Sequence, residues 1–108
     1  WGPGGTVGLV VGATAPTELA AIRALAPSLA LLVPGVGAQG GEVAPVLANG
    51  PARDGPAGAA AGGALLVNVS RGIASAALEP VAAGVSRDPG ERLARAAAEW
   101  AGRLAVLP

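Results

Sequence analysis

The sequence predicts an α/β fold made of parallel strand–helix units. Three short apolar runs each read as a strand, helical patterns alternate with them, and glycine or proline marks most of the junctions. Parallel strands need a crossover, and the crossover is normally a helix.

The first run, Thr6 to Gly12 (TVGLVVG), reads as a strand buried on both faces. A helix should follow. Pro16 suits its first position, Glu18 lies in its first turn where the helix dipole favours an anion, and Leu19, Ile22, Leu25 and Ala26 form one apolar stripe before Pro27 ends it. Leu29 to Val33 (LALLV) is the second buried strand, and Gly41 to Ala48 is a short helical stretch closed by Asn49 and Gly50. Pro51 to Gly63 reads as an exposed loop of Gly, Ala and Pro, carrying Arg53 and Asp54. Ala64 to Val69 (ALLVNV) is the third strand. After an Ala-rich stretch, Asp88-Pro89-Gly90-Glu91 opens the last helix with a capping box, and Leu93, Ala97, Trp100 and Leu104 share one face of it. Trp100 on that stripe reads as a core anchor.

At 108 residues the chain is one domain in size, short of the roughly 200 to 250 residues of a closed α/β barrel. It opens on Trp1 and contains no Met, which points to a piece of a longer protein. Hydrophobic residues make up 52% and charged residues 13%, against about 25% charged in an ordinary soluble domain. Either part of the surface expects a partner, or the composition reflects a bias toward Ala, Gly, Val and Arg. All seven basic residues are Arg, scattered singly in a chain of zero formal net charge, so no nucleic-acid stripe or polybasic membrane patch is present. The chain has neither Cys nor His, which removes thiolate and imidazole metal sites. The longest uncharged run, Ala24 to Gly41, contains Arg-free but Pro- and Gly-broken sequence that does not suit a spanning helix of ~20 apolar residues. A cytoplasmic location is the default expectation.

In parallel α/β proteins the loops leaving the C-terminal ends of the strands build the ligand site. Those loops here hold Ala13-Thr14, Pro34 to Gly41 and Ser70-Arg71-Gly72. Gln39 sits in a glycine-rich turn whose amides can approach an anion, and its side-chain amide can donate to a phosphate oxygen. Arg71 can offer its planar fork to the same phosphate, with Gly72 letting the backbone come close. Each feature alone is better explained by a plain turn or a solvated charge. Together, on two successive strands, they match the phosphate site formed by the last two loops of a barrel. A rival reading takes Gly35-Val36-Gly37-Ala38-Gln39-Gly40 as a dinucleotide fingerprint, although Asp54, the acidic residue at the expected spacing, lies in a loop and Pro45 interrupts the next helix.

VGLVVGAT, LLVPGVGAQGG and VNVSRGI, in this order and spacing, resemble the last three barrel strands of orotidine 5′-phosphate decarboxylase, in its longer bacterial form. The resemblance runs from Val7 to Ile73, without the 51–63 loop, and is generic in the last helix. It implies that residues 1–108 are one partial domain, the last three βα units of a TIM (β/α)8 barrel. It also implies that Gln39 and Arg71, assisted by the amides of Arg71 and Gly72, bind the 5′-phosphate of orotidine or uridine monophosphate. Pro34 and Val36 would line the wall near base and ribose, and Thr14 would sit on the same rim. The family uses no metal and no organic cofactor, and acts as a homodimer. Its chemistry depends on an Asp-x-Lys-x-x-Asp segment of an earlier strand, and this chain has no lysine. The resemblance therefore implies a fragment without catalytic residues, inactive alone, whose partner is the missing N-terminal half of the barrel. A phosphate- or dinucleotide-binding module and an inactive split or decayed fragment are the alternatives.

Overall fold

In the computed structural model, residues 7–53 and 63–105 are described. Three strands alternate with helices: β1 (Gly8–Val10), α1 (Pro16–Leu25), β2 (Ala30–Pro34), α2 (Val43–Asn49), β3 (Leu65–Asn68), the short α3 (Arg71–Ala74) with a 3-10 turn at Ser75–Ala77, and α4 (Pro89–Arg103). The strands form one open parallel sheet in the order β1-β2-β3. Gly8 pairs with Ala30 and Val10 with Leu32, while Leu31 pairs with Leu65 and Pro34 with Asn68. All three strands run the same way, so segments 11–15, 35–42 and 69–70 leave the sheet at one rim. Thr6, Asp54 and most of the 51–63 loop lie outside the described residues.

One face of the sheet is covered. Leu31 and Val33 of β2 and Val11 just after β1 pack with Leu19 of α1, Val36 of the loop after β2 and Val46 of α2, while Leu65, Val67 and Trp100 border them. The other face is bare: Val10 and Leu66 are each 68% exposed, on either side of Leu32 in the pairing register. The expectation of burial on both faces therefore fails for β1 and β3, while Leu32 of the central strand is half-buried. Continuous apolar runs record two covered faces, and only one cover exists among the described residues. Leu9, which shares the covered face with its partner Leu31, is 42% exposed on the edge strand β1.

Both Pro16 at the head of α1 and Pro27 beyond its end sit where the sequence suggests, but the buried face differs from the expected stripe. Leu25 is 88% exposed, and Arg23 is fully buried. The Arg23 guanidinium donates from Nε and Nη2 to Gly50 O (2.9 and 2.6 Å) and from Nη1 to Leu29 O (2.7 Å) and Ala26 O (3.0 Å). A longer contact from Nη2 reaches Ala64 O at 3.4 Å. These carbonyls end α1 and α2 and precede β2 and β3, so one side chain ties four elements at the foot of the sheet. The last carbonyls of a helix lack intrahelical donors, and a guanidinium suits them with five N–H groups in a fixed fork. Burial, and after it the nearby charge of Arg53, lowers the Arg23 pKa from its ordinary value.

The Ala-rich stretch after β3 forms α3 and the 3-10 turn, elements that periodicity alone did not mark. Pro89 begins α4 as expected, yet the capping box does not form. Asp88 Oδ1 accepts from Gly90 N at 2.8 Å rather than from Glu91 N, and the Asp88 amide donates to Ser86 Oγ at 3.2 Å instead of to Glu91. The nearer Ser86 hydroxyl has taken the donor on which the reciprocal contact depended. Ala97, placed on the packing stripe of α4, is exposed, while Leu93, Trp100 and Leu104 are half-buried. Among the described residues no helix is long and apolar enough to cross a membrane.

Removing the Arg23 fork should be costly, because several buried carbonyls would lose their donors at once. Arg23→Ala in the full-length protein is expected to destabilise it by about 3 kcal/mol, read as a lowered denaturant midpoint. Arg23→Lys should recover only part, since an ammonium cannot span both helix ends. A midpoint unchanged in Arg23→Ala would remove this residue from the account of the fold.

Candidate functional site

The rim of the sheet brings two predicted residues to one place. Gln39, from the loop after β2, and Arg71, from the turn after β3, line a single small cleft with Pro34, Gly35, Val36, Ala38, Asn68 and Ser70. Its volume is ≈ 60 Å³, which suits one compact anion and not a whole nucleotide. Pro34 and Asn68 are paired in the sheet, so the cleft stands directly on the last rung of the β2–β3 ladder.

The Gln39 loop is built by glycine. Gly35, Gly37 and Gly40 have φ of 95°, 78° and 86°, a region closed to most side chains. A Cβ on Gly35 would stand 2.9 Å from Gln39 Oε1, so the Gln39 side chain lies back over that residue. Gly41 is needed for a different reason: a Cβ there would stand 2.6 Å from both Gly35 O and Ala13 Cβ.

The loop also holds itself closed. Gly37 N donates to Gly41 O (2.9 Å), Gly40 N to Gly37 O (2.8 Å) and Gly41 N to Gly35 O (3.1 Å). Three amides of the glycine-rich turn are thus engaged internally, which corrects the expectation that the turn as a whole offers N–H groups to an anion. The same engagement argues against the dinucleotide reading, which uses such amides and the following helix N-terminus for a pyrophosphate. Here α2 has seven residues, and Glu42 occupies its N-cap without a side-chain capping bond.

On the other side of the cleft, Arg71 is the first residue of α3, and its side chain is exposed. Ser70 O accepts from the amides of Ile73 and Ala74. The amides of Arg71 and Gly72 occupy the first positions of the helix, where no intrahelical acceptor exists. Ser70 Oγ contacts Asn68 Oδ1 at 3.0 Å, which ties two cleft residues together. The arrangement can hold an anion between a planar cation and a neutral amide, with Pro34 and Val36 as an apolar flank.

Two of the predicted residues are not in this cleft. Thr14 lines a neighbouring one with Ala13, Pro16, Gly40, Glu42 and Pro45. Gly72 stands beside Arg71 but faces Trp100, whose Nε1 donates to Gly72 O at 3.2 Å. Sequence reading passed over Asn68 and Ser70, although their position at the end of β3 was a signal. A wider cleft, ≈ 400 Å³ between β3 and α4, is mainly apolar and lies along the uncovered edge of the sheet.

Residues 3–85 match the profile of the orotidine 5′-phosphate decarboxylase / HUMPS family. The orotidine 5′-phosphate decarboxylase of Paracidovorax citrulli is 47% identical over 81% of this chain and 29% of its own length. That of Haloarcula marismortui is 44% identical over 96% of this chain and 34% of its own length. The Methylibium petroleiphilum enzyme is 68% identical over 41% of this chain. The chain thus spans about a third or less of the curated relatives it matches. No solved structure matches it.

Because Gly41 is pressed against backbone on one side and Ala13 on the other, Gly41→Ala should force the Gln39 loop off its seat. A destabilisation of about 1–3 kcal/mol is expected in the full-length protein, measured by thermal or denaturant unfolding. Gly40→Ala meets nothing within 4 Å and carries only the strain of its positive φ, so it should cost less. Equal effects of the two would contradict the loop packing described.

Proposed function

The chain belongs to the orotidine 5′-phosphate decarboxylase / HUMPS family, and from that membership we propose that it is the C-terminal, phosphate-gripping part of an orotidine 5′-phosphate decarboxylase. That lyase converts orotidine 5′-monophosphate to uridine 5′-monophosphate and CO2. The observation that carries the reading is the cleft in which Gln39 and Arg71, from loops on two different strands, stand together.

In this reading the Arg71 fork makes charge-assisted hydrogen bonds to the 5′-phosphate, and the Gln39 amide donates to another phosphate oxygen. The amides of Arg71 and Gly72, at the head of α3, add dipolar donors on the same side. Pro34 and Val36 flank the path from phosphate to ribose and base, and Thr14 borders the neighbouring cleft. The chain has no lysine, so it holds no ammonium to deliver the proton that replaces the departing carboxylate. The decarboxylation chemistry belongs to an Asp-x-Lys-x-x-Asp segment outside these residues, in the N-terminal half of the barrel and across a homodimer. These residues serve the reaction by gripping a group remote from the reacting carbon, whose binding energy is expressed in the transition state.

In the full-length enzyme, Arg71→Ala should weaken binding of uridine 5′-monophosphate by about 10- to 100-fold, the worth of a hydrogen bond to a charged group. Gln39→Ala should weaken it less, because the lost donor is neutral. Uridine, which lacks the phosphate, should bind both variants as it binds the parent. Isothermal titration with the two ligands measures this, and equal losses for uridine and its monophosphate would reject the phosphate assignment.

A further inference from the structure

Trp100, in the second half of α4, touches both loops that build the cleft while standing outside it. A Cβ on Gly37 would lie 2.7 Å from Trp100 Cη2, so the indole edge rests on the loop that carries Gln39. A Cβ on Gly72 would lie 2.9 Å from Trp100 Nε1, and that nitrogen donates to Gly72 O at 3.2 Å. The guanidinium of Arg103 stands over the ring, 4.0 Å from its centroid.

The two loops have no other bond between their tips. The β2–β3 ladder ends at Pro34 and Asn68, and none of the hydrogen bonds among the described residues joins residues 35–41 to residues 70–74. Each tip is closed on itself. Their separation is the quantity on which a two-sided anion grip depends, and the indole is the rigid body that contacts both. Glycine at 72 is explained by this contact and not by its backbone, since it lies within helix α3, where alanine is ordinarily preferred.

We propose that Trp100 is a positioning residue of the phosphate grip, its indole holding the Gln39 loop at a fixed distance from the Arg71 turn. The inference rests on the phosphate reading of the cleft and adds a residue of the last helix to it. An indole has two side-chain torsions and a flat, stiff outline, so it transmits position better than a flexible aliphatic chain would. Arg103 covers the ring and restricts its rotation. A loosened indole would let the two tips drift apart, and the anion would then meet one donor set at a time.

The test is titration of uridine 5′-monophosphate and uridine into the full-length enzyme carrying Trp100→Ala, Trp100→Phe, Gly72→Ala and the double variant Trp100→Ala/Gly72→Ala. Trp100→Ala should weaken the monophosphate about tenfold while leaving uridine unchanged, the scale expected when a binding group is displaced without being removed. Trp100→Phe, which keeps an aromatic edge and loses the N–H, should fall between parent and Trp100→Ala. Gly72→Ala should weaken the monophosphate by pushing the ring away, and should cost little more once Trp100 is already Ala, because the clash is gone. Phenylalanine and the Gly72 variants keep the test readable where Trp100→Ala fails to fold. Equal losses for both ligands, or additive effects of the Gly72 and Trp100 changes, would overturn the role of Trp100. If Arg71→Ala weakens the monophosphate selectively and the Trp100 variants do not, this inference fails alone; if Arg71→Ala shows no selectivity either, the phosphate reading fails with it.

Discussion

The structure depends on a buried guanidinium at its foot. Arg23 collects carbonyl oxygens from the ends of α1 and α2 and from the residues that lead into β2 and β3. A charge taken out of water is costly unless its N–H groups are all engaged, and here many acceptors converge on one fork. The benefit is geometric. With the start of β2 and of β3 held against the same group, the strands pair in one register, and Pro34 and Asn68 finish level with each other at the far rim. The loops that follow then begin side by side, and the cleft between Gln39 and Arg71 is a consequence of where the strands start.

This division between foot and rim explains what could be read from the sequence. The strands were legible as short apolar runs, the first of them rich in β-branched residues and bounded by glycines, and the common rim of Gln39 and Arg71 followed from parallel topology. Arg23 was not legible. An arginine on a helix is usually solvated, and its principal acceptor, Gly50 O, lies 27 positions along the chain. Leu25 was misread for the same reason: helical periodicity marks an apolar side without saying which neighbour covers it, and Leu25 has none among the described residues. The exposed outer faces of Val10 and Leu66 show the limit from the other side, since an apolar run records burial without saying what provides it.

The glycine-rich loop illustrates how a motif can be present while its usual chemistry is not. Sequence alone counts glycines, and a run of them invites the image of a backbone nest around a phosphate. In this loop the amides of Gly37, Gly40 and Gly41 close a small internal ring, which makes the loop stiff and withdraws those donors. What the loop presents instead is a side chain, laid over Gly35 and held at a set height above the sheet. Stiffness and presentation are separate uses of the same residues, and only the hydrogen-bond pattern separates them.

A grip of this kind is useful only at a distance from the reaction. The residues proposed to hold the anion stand on a loop closed by its own bonds and on a helix of four residues, while the chain contains no lysine with which to move a proton. Binding energy gained at a remote group lowers a barrier only if the holding frame does not yield, because a frame that moves with the substrate returns that energy as strain relief. The demands on the frame therefore exceed the demands on the donors. They are met by Arg23 below, by the strand ladder between, and by an indole at the side, and each acts on the position of Gln39 and Arg71 rather than on the anion itself.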